Sequence, residues 1–91
     1  MKKDKTPLES IPYIGPAIAK DLKNIGINWV EDLKGKDPEK LYKLSNEYER
    51  NEQDPCLLYT FRYAVYYAQG GKDPRKLVWW AWKNKKLENN K

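Results

Sequence analysis

The chain has no histidine, one cysteine, one methionine and one phenylalanine among its 91 residues. Without an imidazole there is no histidine base, no Ser-His-Asp or Cys-His pair and no histidine-ligated metal. One cysteine closes no internal disulfide and builds no cysteine-based zinc site. No cofactor and no metal are therefore expected. Tyrosines, lysines and carboxylates remain, but no spacing sets a nucleophile beside a base, so an enzyme is not expected either. Long apolar runs are also missing. The longest, 63–68 and 77–82, reach six residues, against the roughly 18 needed to span a bilayer. The charged start (Met1, Lys2, Lys3, Asp4, Lys5) leads into no signal-type apolar segment. These absences read as a soluble, cytoplasmic protein with no membrane partner and no small-molecule substrate.

What is present is aromatic and charged. Aromatic residues make up 13% of a chain whose mean hydropathy is −1.00. Each buries a large area, so they supply the core of a domain this short. The net charge is +5, divided as +2 over residues 1–27, −3 over 28–55 and +6 over 56–91. A cationic surface attracts polyanions, although a solvated lysine tail gives the same count with no partner at all.

Helix punctuation is legible. Asp37-Pro38, Asp54-Pro55 and Asp73-Pro74 each place a capping carboxylate before a proline that loses nothing at a first helical position. Thr6-Pro7-Leu8-Glu9 reads as a capping box. Stops stand at Gly26, Gly35 and Gly70-Gly71. Six short helices follow, at about 7–11, 16–25, 28–34, 38–50, 55–69 and 74–84, with no strand-like alternation. The expected fold is all-α: a compact bundle of five to six helices forming a single domain over 5–84, with frayed charged tails at 1–4 and 85–91.

The fifth helix is apolar almost all round and reads as core rather than as a base-stacking ladder of tyrosines. Leu57, Phe61, Ala64 and Ala68 form one face, and Tyr59, Tyr63, Tyr66 and Tyr67 another. Arg62 and Gln69 mark the stripe expected to meet water. Cys56, just inside this helix, reads as buried and structural. The last helix carries apolar groups on every side, so Trp79 or Trp80 is expected to stay partly exposed. Beside Arg75, Lys76 and Lys83 it is either a lid with one edge showing or a surface for a protein or nucleic acid.

The most informative stretch is Ile11-Pro12-Tyr13-Ile14-Gly15-Pro16-Ala17-Ile18-Ala19-Lys20-Asp21-Leu22-Lys23. A short helix runs into a tight turn, and a second helix starts at Gly15-Pro16. Ile14, Ile18, Leu22 and Ile25 share one side of it, with Ala19 small enough for close helix contact. This segment resembles a helix-hairpin-helix motif. The continuation through Ile27, Trp29, Val30, Leu33 and Asp37-Pro38 is similar to sterile-alpha-motif-like helical domains. With the aromatic fifth helix and the Trp-rich end, nearly the whole chain resembles the small bacterial "pathogenicity locus" family, whose members are sometimes labelled mitomycin-resistance proteins.

The resemblance implies that hairpin amides and the following helix N-terminus hold a DNA phosphate with no base read. On this chain the positions are Tyr13, Gly15, Ala17, Lys20 and Lys23. Tyr13 stands where the motif has its first glycine, so a positive φ there is costly. Pro16 offers no N–H. Duplex-binding domains of this kind commonly use two hairpins, and Lys34-Gly35-Lys36 is the only other candidate turn. The expected function is weak, non-sequence-specific nucleic-acid binding, with Arg75, Lys76, Trp79, Trp80 and Lys83 as a secondary surface. The alternative is a sterile-alpha-motif-like protein-interaction module using Glu31, Asp32, Asp37 and Glu39, or the exposed Trp as an anchor.

Overall fold

A computed structural model describes residues 5–83, and the expected tails at 1–4 and 85–91 lie outside them. Three α-helices carry the fold: α1, Pro16–Asn24; α2, Pro38–Glu49; and α3, Pro55–Ala68. Among the described residues there is no β-strand, only an isolated bridge between Pro7 and Trp29. The three aspartate caps form as their sequence requires. Asp37, Asp54 and Asp73 accept from the amides of Glu39, Cys56 and Arg75 at 3.0, 2.9 and 3.0 Å.

The expected bundle of five to six helices is corrected to three α-helices among the described residues. The other helical segments are 3-10 turns at Leu8–Ser10, Val30–Leu33, Pro74–Lys76 and Trp79–Trp82. Each is too short to recover the cost of nucleating an α-helix. Pro7 and Pro12 bracket the first turn, and Gly35, with φ 76°, follows the second. The last expected helix breaks at Val78, which is extended at φ −136° and ψ 140°. That break answers the problem of a helix with apolar groups on every side. It lets Trp82 turn inward, 2% exposed, with its indole N–H donating to the Lys76 carbonyl at 3.0 Å.

The capping box at Thr6-Pro7-Leu8-Glu9 does not form either. Thr6 instead reaches across the chain: its amide and hydroxyl donate to the two oxygens of Glu31 at 2.9 and 2.6 Å. The Thr6 carbonyl accepts from the Val30 amide at 2.9 Å. This tether ties the first 3-10 turn to the second.

The core gathers Leu8, Ile11, Ile14, Ala19 and Leu22 from the first third with Leu33 and Leu41, all against Phe61, Tyr63, Ala64 and Val65 of α3. Arg62, expected at the water-facing stripe, is buried. Its guanidinium pairs with Glu39 at 2.8 Å, donates to the Trp82 carbonyl at 2.8 Å and lies 5.8 Å over the Tyr59 ring. One side chain thus joins α2, α3 and the Trp-rich turn. Cys56, expected to be buried, is exposed at the first turn of α3. Its thiol is pushed up from its ordinary value by a hydrogen bond to Asp54.

Candidate nucleic-acid interface

The hairpin is built from a 3-10 turn and α1, joined by the five residues 11–15, whose hydrogen bonds run locally. Ile11 N–H donates to the Leu8 carbonyl at 3.1 Å, and Ile14 N–H to the Ile11 carbonyl at 3.0 Å. Tyr13 turns the corner in the left-handed region at φ 73°. The conformation that makes a glycine natural here is therefore kept, and a tyrosine holds it. Gly15 then precedes α1 in extended backbone, with Pro16 at the first helical position.

The fixing of this corner comes from far along the chain. The Tyr63 hydroxyl donates to the Pro12 carbonyl at 2.7 Å, across a separation of 51 residues. Burial pushes the Tyr63 phenol up to about 12, so it keeps its donated proton through neutral pH. The Tyr13 ring stands edge-on to the Tyr63 ring at 6.0 Å. Sequence reading placed Tyr63 on a core face but gave no hint of this hydroxyl's partner, because nothing local connects α3 with Pro12.

At the mouth of the turn, backbone donors are left over. The Ala19 amide is the first in α1 to reach a carbonyl, that of Gly15, at 2.9 Å. The amides of Gly15, Ala17 and Ile18 find no acceptor among the described residues, and no side chain caps the helix. Such free donors at a helix start, with the positive end of the dipole behind them, form an anion site. Gly15 itself has φ −92°, and a Cβ there would meet nothing within 4 Å. The fold itself makes no demand for glycine at that position, and the backbone there is open to approach from outside. Ala17, Lys20 and Lys23 are exposed along the same helix, and Lys23 also borders an open groove lined by Pro7, Leu8, Glu9, Asn28 and Trp29.

The second candidate hairpin does not match this one. At Lys34-Gly35-Lys36 the Gly35 amide donates to the Gln69 side-chain oxygen at 3.2 Å, so its donor is used within the chain.

The secondary surface divides. Trp80 is 53% exposed and meets the Tyr13 ring edge-on at 5.4 Å, which brings it to the hairpin itself. Trp79, half-buried, stands edge-on behind Trp80 at 5.8 Å. Lys83 is exposed just beyond. Arg75 is drawn to Asp73 at 3.3 Å, and Lys76 lies 6.0 Å from the centre of the Tyr66 ring. The carboxylates named for a protein partner are all engaged inside the chain. Glu31 holds Thr6, Asp32 accepts from the Asn28 and Trp29 amides at 3.0 and 3.1 Å, Asp37 caps α2, and Glu39 pairs with Arg62. An exposed Trp29 with Lys5 over its ring at 6.0 Å was not foreseen.

No helix of the described residues is long and apolar enough to cross a membrane. Among those residues no three His, Cys, Asp or Glu side chains gather closely enough to hold a metal ion.

Comparison with known proteins shows the family of the chain. The mitomycin resistance protein McrB of Streptomyces lavendulae is 33% identical over 67 residues, which cover 74% of this chain and 64% of that protein. The chain thus spans somewhat less than two-thirds of the length of that relative. No solved structure gives a significant match. A family model described as "Pathogenicity locus" (Cdd1) matches residues 1–88, taking in the hairpin, all three α-helices and the Trp-rich turn, and the chain belongs to that family.

Proposed function

We propose that the protein is a small, non-enzymatic helix-hairpin-helix module that binds DNA weakly and without sequence preference. Backbone phosphate is held at the start of α1. The observation that carries this reading is the set of three amides, Gly15, Ala17 and Ile18, left without acceptors behind a corner that Tyr13 and Tyr63 fix. Lys20 and Lys23 add charge along the helix. Contacts of this kind position a protein on a nucleic-acid backbone and carry no sequence information.

The test is an electrophoretic shift on duplex and single-stranded DNA at about 50 mM salt, where a few phosphate contacts are visible. A shift is expected, and the paired change Lys20→Glu with Lys23→Glu should remove it. No shift by the unaltered chain, or one indifferent to the paired change, refutes the reading.

A protein-interaction module is the second reading, and the exposed Trp80 favours it. With the middle carboxylates engaged internally, it rests on aromatic contact. Sedimentation over a concentration series addresses it, because an exposed aromatic anchor permits self-association.

A further inference from the structure

We propose that Tyr13 and Trp80 form a stacking platform for an unpaired base, which makes single-stranded DNA the preferred ligand over duplex. The inference rests on the phosphate-binding reading above and adds the form of nucleic acid to it.

Among the described residues three aromatic side chains are at least half open, Tyr48 at 58%, Tyr13 at 52% and Trp80 at 53%, and of these Tyr13 and Trp80 touch. Their rings meet at an interplanar angle of 73°, each backed by a further aromatic ring, Tyr63 behind Tyr13 and Trp79 behind Trp80. The pair is therefore held in place with π-surface facing solvent. A protein hot spot centres such rings in a patch emptied of charge and free polar groups. Here the surroundings are the reverse. Tyr13 and Gly15 are two residues apart, so at most about 7 Å of backbone separates the ring's Cα from the first free amide. A nucleotide places its base and its phosphate over a comparable span.

Charge agrees with that occupant. Lys20 and Lys23 on α1 and Lys83 beyond Trp80 are exposed, while Glu39 and Asp73 are paired with Arg62 and Arg75. In a duplex the bases are already stacked on one another and offer no open face to a ring beside the phosphates. In a single strand every base has one, which is why such stacking is tolerant of sequence.

Fluorescence anisotropy on three ligands of equal length tests the proposal: oligo(dT) of roughly ten nucleotides, an abasic strand and a duplex, a length in the range that small single-strand sites occupy. Oligo(dT) should bind more tightly than either of the others and quench tryptophan emission. Combining Tyr13→Gly with Trp80→Ala should weaken oligo(dT) about tenfold, to the level of the abasic strand. Glycine at position 13 keeps the left-handed corner, and circular dichroism verifies the fold. Tyr13→Phe with Trp80→Phe, which retains both rings, should restore the preference. Equal binding of all three ligands, unaltered in the ring-deleted chain, overturns the platform and leaves the phosphate reading standing. Binding of none overturns both. If the ring-deleted chain loses self-association in sedimentation but keeps its oligo(dT) affinity, the pair is a protein contact and the proposal is overturned.

Discussion

Tyr13 is the residue at which local preference and the fold disagree. A left-handed backbone costs an ordinary side chain on the order of 1–2 kcal/mol. Its ring, however, meets Tyr63 and Trp80 edge-on at 6.0 and 5.4 Å, and aromatic pairs of that kind contribute about 0.5–1.5 kcal/mol each. The two effects are of the same size, so the ring offsets the strain it causes. Tyr13→Gly removes both and should change unfolding stability by less than about 1 kcal/mol. Tyr13→Val removes the ring but keeps a β-branched residue in the left-handed region, and should cost about 2 kcal/mol. Urea unfolding of the three chains separates these outcomes. A glycine variant as damaged as the valine variant would show that the contacts, and not the balance of strain against contact, decide the site.

Between elements, the tether from Thr6 to Glu31 joins two 3-10 turns that have little internal stability of their own. The Thr6 hydroxyl and then its amide hold the Glu31 carboxyl down at about 2, from an ordinary value of 4.5. The tether's contribution is therefore complete above about pH 4.5 and is lost as pH falls toward about 2. Glu31→Gln should lower the urea midpoint at neutral pH and converge with the unaltered chain near the acid end. A constant gap across that range would mean that the carboxylate's charge has no part in the tether. Asp54 and Asp73 are also held low by the amides they cap, with the same sign, so only the difference between the two chains isolates Glu31. The three Asp-Pro helix starts could be read from sequence because a capping carboxylate acts on amides two residues away. The Thr6 tether could not, since Thr-x-x-Glu fits a capping box equally well and its real partner lies 25 residues on. Arg62 was misplaced for a similar reason. Its helix position marks it as polar, but Glu39 and the Trp82 carbonyl, 23 and 20 residues away, make it burial-tolerant. At the hairpin, the turn and its amides were legible from Ile14-Gly15-Pro16, while the pairing of Tyr13 with Trp80 depends on the break at Val78, which no local pattern announces.

Across the whole molecule, charge is segregated, with −3 over residues 28–55 and +6 over 56–91. Glu31, Asp32, Asp37, Glu39 and Asp54 are spent on caps and tethers, which leaves Asp21 on α1 and Glu9 beside Lys23 as the anions nearest the hairpin cations. This sets the expected salt response. Counterion release scales with the phosphates neutralised, at about 0.7 per contact for a single strand. Lys20, Lys23 and the α1 terminus account for two to three phosphates, which predicts a slope of log affinity against log salt of about −2. Raising salt from about 50 to about 200 mM should then weaken binding about 15-fold. A slope of −4 or steeper would bring Lys83 and the lysines beyond it into contact with the strand. A flat response would remove the phosphate site, because stacking on Tyr13 and Trp80 alone releases no counterions. The decisive comparison is the paired change Lys20→Glu with Lys23→Glu. If the hairpin is the anion site, that chain loses most of the slope as well as most of the affinity; if affinity falls while the slope persists, the cations that hold the strand lie in the C-terminal third.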